Sequence, residues 1–104
     1  MTAPDHAVIA QGFATCKKPE RYIQQLVSHW SHKMATSYDE GDGMGVFPFS
    51  DTETAVMTAR EGGIAITLTT GDADRNVHMR GVIERHLDRF AFREAPLAYE
   101  WTEQ

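Results

Sequence analysis

The chain predicts an α+β fold, a two-layer sandwich in which an antiparallel sheet of about six strands carries two helices on one face, in the order β-α-β-β-β-β-α-β. Three observations predict it. Two stretches, from Pro19 and from Asp72, repeat apolar residues at three- and four-residue spacing. Between them lie runs of alternating apolar and polar residues broken by glycine-rich turns, the pattern of successive hairpins. A last alternating run follows Pro96, which stops the second helix.

The elements follow in order. Val8 to Thr15 is mostly small and apolar, with Ile9 and Phe13 on one side of an extended chain, and reads as a strand. Pro19 suits the first turn of a helix. From there to about Met34, the residues Ile23, Leu26, Val27, Trp30 and Met34 form one apolar stripe, leaving Gln24, Gln25, Ser28, Ser31 and His32 elsewhere. ATSYDE, the turn EGDGMG and MGVFPF make a first hairpin, with Phe47 and Phe49 at alternate positions. TETAVMTARE, the pair Gly62-Gly63 and IAITLTT make a second, in which Ile64, Ile66 and Leu68 alternate with Ala65, Thr67 and Thr69. Asp72 or Asp74 caps the second helix, on which Met79, Val82, Ile83, His86, Leu87 and Phe90 share a face. LAYEW closes the chain with Leu97, Tyr99 and Trp101 on one side of a strand.

HLDRFAFRE, residues 86–94, fits neither period throughout. In a continuing helix Phe92 points away from the stripe that holds Phe90, so the helix is expected to end near Ala91. Both rings then enter the core, and Arg89 and Arg93 bind carboxylates that secure the turn before Pro96.

Composition bounds the function. At 104 residues, 41% hydrophobic and 24% charged, the chain is expected to form a single domain over 1–104 with an ordered core of about 8–102. A net charge of -5 has the wrong sign for general binding to nucleic acid or to an anionic membrane. No basic segment followed by an apolar run opens the sequence, and no run approaches a membrane span, so the expected location is cytoplasmic. Cys16 is the only cysteine, which excludes an internal disulfide and cysteine-rich metal sites. GxSxG, HExxH and CxxC are absent, and EGDGMG lacks the length and the terminal carboxylate of a calcium loop. No cofactor is required by the sequence.

Four features remain as candidates for chemistry. His86 projects from the middle of an apolar stripe, where a ring must be hydrogen-bonded, through a sheet backbone group or Trp101, or serve as a base or ligand. His29 and His32, three apart on the first helix, reach a metal only if a neighbouring helix brings His86 to His29, giving the set His29, His32 and His86. Cys16 precedes Lys17, Lys18 and a helix start, surroundings that favour a reactive thiolate, although a lone cysteine ending a strand is more often a small core residue. Arg85, Arg89 and Arg93 step by four along the second helix and call for carboxylates of the protein or for an anion.

Arg21-Tyr22, Leu26, HWSHK at 29–33, FPF at 47–49 and HLDRFAFRE followed by Trp101 resemble a bacterial family known only as a domain of unknown function, with members of about this length. The similarity runs from about Val8 to Trp101, and His29, Trp30, His32, Lys33, His86, Arg89, Phe90, Phe92, Arg93 and Glu94 match its motif positions. Some relatives are fused to siderophore-interacting, flavin-dependent ferric reductases. The resemblance therefore implies a context of iron handling and a flavin-dependent ferric reductase as partner, but it carries no catalytic residue. This sequence contains no reductase module, so that activity does not transfer.

The leading expectation is thus a non-enzymatic accessory or binding module in which His29, His86, Arg85, Arg89 and Arg93 line a site for a small anionic ligand or a metal chelate. One alternative is a small metal- or thiol-dependent enzyme using His29, His86 and Cys16. The other is a structural domain that forms a homo-oligomer through an exposed sheet face or edge.

Overall fold

A computed structural model describes residues 7–104 of the chain. Strands β1 (Val8–Thr15), β2 (Ser37–Asp39), β3 (Met44–Pro48), β4 (Thr54–Arg60), β5 (Gly63–Thr70) and β6 (Ala98–Glu103) form one sheet, and helices α1 (Pro19–Trp30) and α2 (Ala73–Phe90) interrupt it in sequence. The spatial order is β2-β3-β4-β5-β1-β6, with every neighbouring pair antiparallel. The two expected hairpins are joined, because β3 also pairs with β4 and makes β2 to β5 a continuous meander. The first strand then inserts between β5 and β6, so the first and last strands lie side by side.

Alternation assigns the faces. Ala10 and Ala14 of β1, Phe47 of β3, Ala55 and Met57 of β4, and Ile64, Ile66 and Leu68 of β5 are buried on the side covered by both helices. From α1 they meet Tyr22, Ile23, Leu26 and Trp30, and from α2 Met79, Ile83 and Leu87. This is the 3.6-residue stripe of each helix laid on the two-residue period of the strands. The opposite face carries Thr54, Thr58, Thr67 and Thr69 with Phe13 and Val56, all partly exposed.

Both helices end where local chemistry ends them. Pro19 opens α1 without a side-chain cap on Lys18, and the chain leaves the helix at Ser31, earlier than the expected Met34. Met34 still packs on the core, through the turn that follows. Asp72 caps α2 by accepting the Arg75 N–H at 2.7 Å, and Ala91 ends it. Among the described residues no helix is long and apolar enough to cross a membrane.

Asn76, wholly buried in the first turns of α2, ties the helix to the sheet. Its Nδ2 donates to the carbonyls of Val8 and Leu68 at 3.2 and 3.5 Å, and its Oδ1 accepts from Arg80 Nε at 2.7 Å. At the other side of the helix start, Arg75 grips the buried Glu53 with two hydrogen bonds and holds that carboxyl below its ordinary range. Helix α2 is thereby fixed to β1 and β5 on one side and to the segment before β4 on the other.

Candidate functional site

Between the start of α1 and the end of α2 lies a cavity of about 360 Å³, lined by Lys18, Arg21, Tyr22, Gln25, Phe90, Phe92 and Arg93. On α1 the lining positions 18, 21, 22 and 25 follow helical spacing and so share one face. On the other wall, Phe90 is the last residue of α2, and Phe92 and Arg93 belong to the turn beyond it. The uncapped positive end of α1 lies at Lys18.

That turn corrects two expectations. Phe92 does not enter the core: it is 69% exposed, with the Arg93 guanidinium 5.8 Å from its ring centre. The helix ends at Phe90, and the turn gives its inward positions to Ala91 and Leu97, which leaves Phe92 outside. Nor do Arg85, Arg89 and Arg93 find carboxylates. Among the described residues the only ion pairs within 4.0 Å are Arg75–Glu53 and Arg80–Glu103. Glu94 instead secures the corner by accepting from the backbone N–H of Lys17 at 3.0 Å and from the Tyr22 hydroxyl at 2.6 Å. The latter bond pushes the Tyr22 phenol up to about 12. Asp88 holds the next stretch through the Leu97 N–H and the Tyr99 hydroxyl.

The consequence is electrostatic. Lys18, Arg21 and Arg93 converge on one cavity, and none of the three has a carboxylate within ion-pair distance among the described residues. Like charges gathered without a counter-charge repel one another and attract an anion. Gln25 adds a polar group that the protein leaves uncommitted, since its Oε1 is buried without a hydrogen-bond donor. Of the five ligand-binding candidates, only Arg93 lines this cavity.

His29 and His86 lie further along the same helix pair. Their ring centres are 5.5 Å apart, with Trp30 at 4.7 Å from His86 and Phe90 at 5.6 Å from His29. Phe90 is thus shared between this cluster and the cavity. His86 is satisfied by its own helix: Nδ1 lies 2.7 Å from the Val82 carbonyl, which can only accept, so Nδ1 carries the proton. Neither a sheet group nor Trp101 serves it, and the Trp101 indole donates to Glu84 at 2.8 Å. His32 is exposed on the turn after α1, and no cluster of three or more His, Cys, Asp or Glu side chains able to hold a metal exists among the described residues. The three-histidine set His29, His32 and His86 therefore does not form, because α1 ends before His32 and leaves it outside the helix interface.

Burial holds the His29 imidazole below its ordinary value of 6.5, helped by the charges of His86, Arg89, Lys33 and His32. As pH falls below about 6.5 the unfolded chain takes up this proton before the folded one does, so the folded state loses stability there. A thermal midpoint that declines below that pH is expected, with a shallower decline in His29→Phe. An unchanged slope in the variant would assign the loss to other groups.

Cys16 is only 5% exposed, and burial followed by the charge of Glu94 pushes its thiol up to about 11. The expected effect of Lys17 and Lys18 is reversed. The sulfur packs into the core while the exposed ammonium groups face solvent, so the thiol stays protonated and weakly nucleophilic at neutral pH.

Sequence reasoning missed Lys18, Arg21, Tyr22, Gln25 and Phe92 as lining residues. A signal existed on α1, where Lys18, Arg21 and Gln25 repeat along one face beside the apolar stripe. What covers that face depends on how the two helices cross.

No curated protein matches the chain. A solved structure, the NMR structure of PA4090 from Pseudomonas aeruginosa, is similar with a TM-score of 0.71 and 25% identity, over 91% of this chain and 94% of that one. Residues 11–102, spanning both helices, all the cavity-lining positions and the histidine pair, match the family described as an uncharacterized protein conserved in bacteria (DUF2218), and the chain belongs to that family.

Proposed function

We propose that this domain is a non-enzymatic binding module that holds a small anionic ligand in the cavity between α1 and α2. The observation that carries the reading is the convergence of Lys18, Arg21 and Arg93, none ion-paired among the described residues, on a cavity walled by Phe90 and Phe92 in a chain whose net charge is -5. Cations supply attraction, and aromatic faces supply apolar area for a flat ligand as well as cation-π contact with the guanidinium. A volume of about 360 Å³ suits a small organic acid or a small chelate. Nothing at the cavity resembles a nucleophile with its base.

Within this class, an anionic metal chelate of the siderophore type is the ligand to which the family resemblance points, with a flavin-dependent ferric reductase as the partner that consumes it. Aromatic walls with peripheral cations suit such a complex. Isothermal titration with citrate, ferric citrate and flavin mononucleotide tests the reading in order of increasing specificity. Binding is expected to weaken with salt, and Arg93→Glu is expected to lower affinity roughly tenfold or more, because a repulsion replaces a charge-assisted hydrogen bond. Heats indistinguishable from buffer for all three probes at millimolar concentration would remove the proposal's support.

A further inference from the structure

We propose that His29 and His86 form a two-imidazole site for a divalent transition-metal ion of the copper, nickel or zinc class, which completes its coordination with water or an anionic co-ligand. The site is separate from the cation-lined cavity and does not depend on it, although Phe90 borders both.

The spacing fits. Two imidazoles bound to one ion at ~2.0–2.1 Å place their ring centres roughly 4.5–5.5 Å apart for inter-ligand angles between a right angle and about 120°. The observed separation is 5.5 Å, with the ring planes inclined at 52°.

Orientation fits as well. A ligating histidine commonly donates its other ring N–H to a carbonyl or carboxylate, which fixes the tautomer and aims the lone pair. His86 makes that bond, from Nδ1 to the Val82 carbonyl, and in the neutral ring Nε2 is left with its lone pair. No hydrogen bond within the described chain uses Nε2 of His86 or either ring nitrogen of His29. None of these nitrogens is a buried orphan either, since Gln25 Oε1 alone has that status among the described residues. The free lone pairs therefore reach solvent.

Third, the rings are held before any ion arrives. Trp30 packs against both imidazoles, at 6.2 Å from His29 and 4.7 Å from His86, and Phe90 meets His29 edge-on. Little side-chain freedom remains to be lost on binding. Nitrogen ligands select borderline metals over calcium and magnesium, which require oxygen. With no converging carboxylate or thiol among the described residues, coordination positions stay open. Lys33 and Arg89 set positive charge near His29, which opposes a bare divalent ion and favours one that carries an anionic co-ligand.

Copper(II) is the probe, read by paramagnetic resonance of the intact chain. One ion per chain with superhyperfine coupling to two imidazole nitrogens is expected. The chain has five histidines, so the variant His6→Ala/His32→Ala/His78→Ala, which keeps only His29 and His86, is expected to retain the signal and the affinity. His29→Ala is expected to weaken binding at least roughly tenfold and to remove one nitrogen coupling. His86→Ala should do the same, and should it fail to fold, His29→Ala decides alone because that ring lies at the edge of the core. Arg93→Glu leaves copper binding unchanged, which separates this site from the anion cavity. Loss of copper in the triple variant, or its retention at full affinity in His29→Ala, overturns the proposal.

Discussion

Gly63→Ala is expected to destabilise the protein by about 3 kcal/mol or more, or to prevent folding, because a methyl group there has no space it can take. A Cβ at Gly63 would overlap the backbone carbonyl oxygen of Ala14 and lie 2.8 Å from the Phe13 ring. The ring can rotate. The carbonyl cannot, since it belongs to β1, which is paired on both sides. The neighbouring Gly62 provides the internal control. It has φ +86° in the turn between β4 and β5, and a methyl group there would have nothing within 4 Å, so Gly62→Ala meets only backbone strain, about 1 kcal/mol. Urea unfolding of the two variants checks the pair of values. Equal losses would mean that the β1–β5 contact relaxes.

Asn76→Asp is expected to cost about 3 kcal/mol or more at neutral pH, although it changes almost no volume. It exchanges a buried donor for a buried carboxylate that faces the carbonyl oxygens of Val8 and Leu68, with Arg80 as the one cation bonded to it. The folded-state carboxyl is then raised above its ordinary value of about 3.9. Its protonated form, which donates as the amide did, is preserved at low pH, so the penalty is small below about 4 and grows as pH rises towards the raised value. Asn76→Ala, by contrast, is expected to lose about 2 kcal/mol with no added dependence on pH. Unfolding of the three proteins at several pH values distinguishes them. A wild-type midpoint for Asn76→Asp at neutral pH would show that the two carbonyls find other donors.

These two positions mark where local pattern ends and packing begins. Gly62-Gly63 is legible as a turn, yet its residues do not tell which glycine needs its backbone freedom and which its missing side chain. Asn76 gives no signal at all. Its burial follows from the strands that pass beneath it, β1 and β5.

The candidate site divides in the same way. The spacing of His86 with Val82 and Phe90 puts it at the helix interface, and His29 on the flank of the α1 stripe is placed to approach it. That the rings meet, at 5.5 Å, follows from the way α1 packs over β3 and β4 beside α2. The arginine ridge misleads because charge counting ignores direction. Arg85 and Arg89 are exposed, while Asp88 and Glu94, the carboxylates nearest them in the sequence, are taken by backbone N–H groups and tyrosine hydroxyls.

The elements, their order and most of their inward faces can be read from the amino-acid string, because helix and strand periods are local properties of neighbouring residues; β1 is the exception, since the small Ala10 and Ala14, not Ile9 and Phe13, face the helices that crowd over it. The end of α2 near Ala91 is legible from Pro96, whereas the apparent conflict of Phe92 with the helical stripe is no guide, because that ring stays exposed. Four outcomes belong to packing alone: β1 lies between β5 and β6, Phe92 stays outside, Glu94 locks the corner, and Lys18, Arg21 and Arg93 share one cavity. They depend on partners far apart along the chain, such as Lys17 and Glu94, separated by 77 positions. No periodicity reaches that far. Such pairings are settled by which surfaces fill the space left by the others.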